Sequence, residues 1–135
     1  MTGIVLSVET RYGASIMPEQ AMIRIVGVDP GVRSVGYGVI DARGRKASLV
    51  ACGEIETADE DPFPDRLLSI YRGISKVLEE HKPGRMVCEK LVYHRNVAIA
   101  LGLGQARGVA LLAAAMARLP VEEFSPTEIK SAVAG

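Results

Sequence analysis

With 135 residues, 48% of them apolar, no Trp and 16 basic against 16 acidic side chains, the chain has room for one domain with its own core and not for two. That composition excludes a disordered chain, and a formal net charge of zero gives by itself no pointer to a polyanionic partner. No apolar run is read as reaching the roughly 18 residues needed to span a bilayer, so no membrane segment is expected.

The opening MTGIVLSVETRYGASIMPEQA lacks a basic leading segment, and its apolar stretch stops at Glu9, which makes it a poor signal peptide. Residues 1–21 are expected to be an N-terminal extension, disordered or produced by a start codon placed too early, ahead of a single domain over 22–135. Cys52 and Cys88 match no ligand or redox spacing. They read as buried free thiols in a reducing cytosol, which predicts a cytoplasmic protein.

Ile23 to Asp29 is a short, almost wholly apolar run rich in Ile and Val, the pattern of a central strand buried on both faces. Pro30-Gly31 breaks it. Ser34 to Asp41 reads as a second strand and Ala42-Arg43-Gly44-Arg45 as a turn into a third, Lys46 to Glu56, so that the three form an antiparallel meander. Pro64-Asp65 starts a helix. Leu67, Leu68, Ile70, Tyr71, Ile74, Val77 and Leu78 keep helical spacing until Lys82-Pro83-Gly84 ends it. Arg85 to Leu91 reads as a fourth strand. A long helix follows from Asn96, as N-cap, to Arg118, and Pro120 to Phe124 is a fifth strand. Ser125-Pro126-Thr127-Glu128 looks like a capped start to a further helix. The order β-β-β-α-β-α-β-α is that of a ribonuclease H-like α/β fold: a five-stranded mixed sheet, its first three strands antiparallel, with helices packed on its faces.

Charge is unevenly distributed. Glu54 to Asp65 holds six acids and no bases, whereas Lys82 to Arg118 holds Lys82, Arg85, Lys90, Arg95, Arg107 and Arg118 against Glu89 alone. A neutral protein with one basic face attracts polyanions through its local field; a solvated surface of mixed charge explains the same run.

The acids that carry chemistry are Asp29, ending the first strand, and Glu89, near the end of the fourth. If those strands lie side by side and parallel, both carboxylates emerge at one rim, where open α/β sheets bind ligands. Two carboxylates about 4 Å apart repel by roughly 4 kcal/mol at an effective dielectric of 20, so holding them together calls for a shared proton or a cation. An all-oxygen site suits Mg²⁺ or Mn²⁺, and two such ions activate water and stabilise a leaving oxygen in phosphodiester hydrolysis. Strand-end acids that merely face solvent are the plainer alternative.

GVDPGVRSVGYGVI, PFPDRLLSIYRGI, the acid of VCEK, LGLGQARGVALLAAA and LPVEEFSPTEIKSAVAG together resemble the RuvC family of bacterial Holliday-junction endonucleases, nearly unbroken from Met22 to Gly135. The resemblance implies a ribonuclease H-like homodimer that nicks four-way DNA junctions symmetrically during recombination and repair, with Mg²⁺ or Mn²⁺, two ions per complete site. It also implies a branch-migration motor complex as partner. It carries the first catalytic aspartate to Asp29, the catalytic glutamate to Glu89 and a functional lysine at the DNA or leaving group to Lys130. Family members continue past the point matched by Gly135 with further acidic or histidine ligands, so the site read here is incomplete. The loop aromatic that the family offers to junction bases falls by position on Val92, while the aromatic here is Tyr93. Stacking on an aromatic contributes about 1–3 kcal/mol per base.

Lys90 and Arg95 flank that loop and are expected at phosphates. His94 reads as a polar loop residue, and His81 as a partner of its helix's last carbonyls. Gly104 and Gly108, four apart on one helical face, predict close packing against the sheet or a partner helix. Arg107 suits either a DNA contact or an ion pair. Two rival functions remain: a non-catalytic junction-binding fragment, and a fragment of an actin-like ATPase or sugar kinase, whose first phosphate motif GVDPGVRSVGYGVI also resembles.

Overall fold

The computed structural model describes residues 21–90 and 94–124. The expected extension over 1–21 therefore lies almost wholly outside the described residues, as do Leu91, Val92, Tyr93, the helix start at Ser125 and Lys130. The elements run β1 (Met22–Asp29), β2 (Ser34–Arg43), β3 (Lys46–Glu56), α1 (Phe63–His81), β4 (Arg85–Glu89), α2 (Val97–Met116) and β5 (Val121–Phe124). They build one sheet in the order β3-β2-β1-β4-β5. β1 and β2, and β2 and β3, are antiparallel, whereas β4 joins β1 and β5 joins β4 in parallel. The meander and the two helical crossovers stand as expected.

Register sorts the side chains by face. Val26, Val28, Val35, Val39 and Met86 form one core cluster with Ile70, Ile74, Val77 and Leu78 of α1 and Ala106, Ala110, Ala113 and Ala114 of α2. Both helices therefore lie on the same side of the sheet. Alternation along a strand puts Ile25, Ile40 and Val87, all fully buried, on the other side. Four alanines on the inward stripe of α2 let it approach closely. That helix begins at a true side-chain cap, Ile99 N–H donating to Asn96 Oδ1 at 3.1 Å.

β3 contains one irregularity. Val39 pairs with Ala51 but Ile40 pairs with Leu49, so Val50 has no partner across β2. One extra residue on one strand is a β-bulge, which bends the strand and increases its twist.

Three expectations need correcting. Cys52 is exposed and only Cys88 is buried, because residue 52 points outward from β3. The helix Val97–Met116 is, by length and composition, apolar enough to cross a membrane, contrary to the reading of the sequence. Its Ala, Gly and Leu content meets that criterion, yet it docks on α1 and the sheet. Of the two packings expected at Gly108, the one against the sheet is absent, since a Cβ built on it meets nothing within 4 Å; this leaves the other, against a partner helix.

Candidate active site

Val28 of β1 stands opposite Cys88 of β4 in a parallel ladder, and the next residue on each strand is Asp29 and Glu89. Neighbouring strands lie about 4.8 Å apart, and register partners share a face. The two acids thus leave the sheet side by side, on the face turned away from the helices. The cause is local: each strand runs through consecutive buried residues, Ile25 to Val28 and Met86 to Cys88, and then ends on a carboxylate. Asp29 is exposed and Glu89 half-buried. Burial, and then the charge of Asp29, push the Glu89 carboxyl above the ordinary carboxylate range. The second cause follows from the nearness of the two strand ends.

Two adjacent carboxylates, one of them resisting ionisation, fit a hard divalent cation through oxygen. Among the described residues no group of three or more His, Cys, Asp or Glu could hold an ion. Asp29 and Glu89 therefore fit as part of a ligand set.

Lys90 follows Glu89 and is exposed, as are His94 and Arg95 ahead of α2. His94 Nδ1 accepts from Asn96 N–H at 3.0 Å, which fixes the turn into the helix. His81 interacts through its own carbonyl, which accepts from Arg24 at 3.1 Å. The basic run from Lys82 to Arg118 does not form one face. Lys90 and Arg95 stand at the carboxylate end, Lys82 and Arg118 at the other, and Arg85 and Arg107 are paired with Glu122 and Glu123. Each strand and helix crosses the whole molecule, so a run in sequence is split between its ends.

Arg107 supports the site from behind. It ion-pairs with Glu123 of β5 and donates from Nε to the carbonyl of Glu89 at 3.3 Å, tying α2 to the ends of β4 and β5. This settles its role as an ion-pair partner. Cys88 lies in the same region, its thiol pushed up to about 11 by burial above all, with Arg107 pulling it down and Glu123, Asp29 and Glu89 adding to the rise. It is a protonated, inert packing residue.

The loop after Asp29 is held by residues the sequence did not mark. Thr57 donates from its hydroxyl to the Val32 carbonyl at 2.7 Å and from its N–H to the Arg33 carbonyl at 2.9 Å. Arg66 donates to Thr57 Oγ1 at 3.1 Å and to the Val32 carbonyl at 3.3 Å. Gly31 is required here, since a Cβ would sit 2.5 Å from the Ser34 carbonyl oxygen. Beyond this loop an open groove of about 720 Å³, lined by Val32, Phe63, Ile99 and Leu103 among others, separates it from the start of α2. A single Arg or Thr near a turn carries no periodic signal, which is why neither stood out.

The raised Glu89 fixes a pH dependence. A carboxyl whose folded pKa exceeds its unfolded one binds more protons folded than unfolded between the two values, so stability falls as pH rises through that window. In metal-free protein, Glu89→Gln is expected to melt at a higher temperature than wild type at neutral pH. The gain should vanish as the pH is lowered below the ordinary carboxylate range. Melting curves across pH test this; equal pH profiles for the two proteins would contradict it.

The family model of the crossover junction endodeoxyribonuclease RuvC matches residues 25–135. A curated relative from Bradyrhizobium diazoefficiens, named crossover junction endodeoxyribonuclease RuvC, is 43% identical over 119 residues, which cover 88% of this chain and 68% of the relative. Among solved structures, T. thermophilus RuvC in complex with Holliday junction substrate superposes with a TM-score of 0.74 at 28% identity, covering 81% of this chain and 68% of that one. The yeast mitochondrial Holliday junction resolvase Ydc2, at 15% identity and a TM-score of 0.63 over 95% of this chain and 61% of its own, shares the fold. With its carboxylates ending two adjacent parallel strands, the chain belongs to the RuvC family of crossover junction endodeoxyribonucleases.

Proposed function

We propose that this chain is a structure-selective endonuclease that resolves Holliday junctions by paired, metal-dependent nicks in DNA recombination and repair. The observation that carries the proposal is the register placing Asp29 beside Glu89, in a chain whose relatives are named for that cleavage. Residues 22–135 act as one ribonuclease H-like domain of a cytoplasmic protein. Asp29 and Glu89 hold Mg²⁺ or Mn²⁺, two ions in the complete site. A divalent ion bound there lowers the pKa of water and neutralises charge on the scissile phosphate. Lys90, Arg95 and Lys130 hold backbone phosphates, and Tyr93 stacks on junction bases.

Paired nicks on a two-fold substrate call for two sites, which a C₂ dimer supplies. The outer face of α2 supports pairing. Val97, Leu101, Leu112 and Met116 are 71%, 63%, 54% and 67% exposed, and exposed Gly104 and Gly108 fall between them on the same stripe. A second helix could approach closely at those glycines. The protein partner that the family resemblance implies is a branch-migration motor complex.

A synthetic four-way junction incubated with the protein and Mg²⁺ tests the reading: symmetric nicks are expected. Binding without nicks would favour a non-catalytic junction binder, which the incomplete set of described ligands makes the second reading. ATP turnover with neither would favour the kinase-like fragment.

A further inference from the structure

Arg107 ties down the carbonyl of Glu89, whereas the strand pairing that fixes Asp29 runs out at Asp29 itself. The β1–β4 ladder ends at Val28 and Cys88, and the β1–β2 ladder at Asp29 and Gly36. Where Asp29 stands beside Glu89 therefore depends on the loop that follows it. That loop is gripped at Val32, from two sides.

On one side, the Thr57 hydroxyl donates to the Val32 carbonyl at 2.7 Å and accepts from Arg66 Nε at 3.1 Å. Arg66 donates to the same carbonyl from a terminal nitrogen at 3.3 Å, and that nitrogen also pairs with Asp59, which meets Arg33 at 3.5 Å. On the other side, Val32 meets α2 where Gly102 has no side chain: a Cβ there would sit 3.0 Å from a Val32 methyl. The Arg66 side chain is only 13% exposed, and a cation so far out of water is costly unless its hydrogen bonds are made. A connection that only had to reverse the chain could be as short as Gly44-Arg45, which joins β2 to β3 between the paired Arg43 and Lys46.

We infer that Arg66, Thr57 and Gly102 are positioning residues for the metal site, which fix Val32 and through it the place of Asp29 beside Glu89. Asp29 leaves the sheet on the face turned away from the helices, whereas Val32 meets α2 and Arg66 belongs to α1. The grip therefore acts through the backbone between residues 29 and 32 and supplies no ligand. Groups in a working site must be held to within about 0.5 Å of their productive geometry, and the residues that orient metal ligands change metal affinity by about 10–100-fold when altered. α2 then braces both acids, Asp29 by way of Gly102 and Glu89 by way of Arg107. The inference rests on the metal-dependent reading above.

The test titrates Mn²⁺ into DNA-free protein and follows the EPR signal of the free ion, counting only the binding that Asp29→Asn removes. Thr57→Val keeps the shape of the side chain and removes the hydroxyl. Its dissociation constant should rise about tenfold, and Thr57→Ser should stay near wild type. Gly102→Ala, which touches no hydrogen bond of the grip, should weaken binding in the same direction by displacing Val32. Asp41→Asn breaks the fork that Arg24 makes near the other end of β1; it should lower the melting temperature and leave Mn²⁺ affinity unchanged. Unchanged affinity in Thr57→Val overturns the inference, as does equal weakening in Thr57→Ser. Equal weakening in Asp41→Asn also overturns it, because loss of stability alone would then explain the effect. Should Thr57→Val fail to fold, Gly102→Ala set against Asp41→Asn decides in its place. Wild type that binds no more Mn²⁺ than Asp29→Asn would sink the metal-dependent reading itself, and the inference with it.

Discussion

Asp29→Asn should reduce junction nicking by about a hundredfold or more while leaving affinity for the same junction unchanged. The amide keeps the shape of the carboxylate, and residue 29 is exposed at a strand end, so no core contact is lost. What disappears is one of two charges that the β1–β4 register holds together. A cation that needs both then loses a ligand, whereas the phosphate contacts proposed for Lys90 and Arg95 would persist. Nicking gels and anisotropy on one junction preparation decide the matter. Loss of binding in step with cutting would assign Asp29 to architecture instead of chemistry. The same substitution removes the like charge beside Glu89, so the Glu89 carboxyl should fall back toward the ordinary range, a change that carboxyl NMR titration reads directly.

Arg107→Met should cost about 1–3 kcal/mol of stability, a drop in melting temperature on the order of 5–10 °C for a domain of this size. Methionine retains the apolar stem, so the loss isolates the guanidinium. Its partner Glu123 is left without its cation, and the Glu89 carbonyl loses a donor. Both charged side chains are partly exposed, at 19% and 35%, which is why the expected cost lies below that of a fully buried pair. Combining the change with Glu123→Gln should recover part of the loss, because the double variant strands no charge. Additive losses would show that the two side chains act separately. Arg107 is engaged by Glu123 and the Glu89 carbonyl and acts as a positioning residue for the end of β4, so its loss should slow nicking less than Asp29→Asn.

The carboxylate pair was legible because it depends on strong signals. Two apolar runs end in acids, and once the second, entered from a helix, is laid parallel beside the first, parallel strands bring corresponding ends to one rim. The Asn96 cap was legible for a similar reason, since the cap and the residues it serves are adjacent in sequence. Arg107 was not, because its partner depends on how α2 is rotated and on the register of β5, neither of which leaves a local trace. The outward position of Cys52 depends on which face of β3 meets the helices. The bulge at Val50 shifts that parity partway along the strand, beyond what alternation alone reveals. The splitting of the basic run needed the lengths and directions of the elements together.

That bulge also bears on how copies of the protein avoid one another. Among the described strands β3 has a neighbour on one side only, and it carries exposed Leu49 and Val50, the ingredients of edge-to-edge aggregation. An unpaired residue at position 50 interrupts the regular row of backbone donors and acceptors, while Lys46, Glu54 and Glu56 set exposed charges along the same strand. A second molecule seeking to extend the sheet meets a bent, charged border where a straight template would have invited fibre growth.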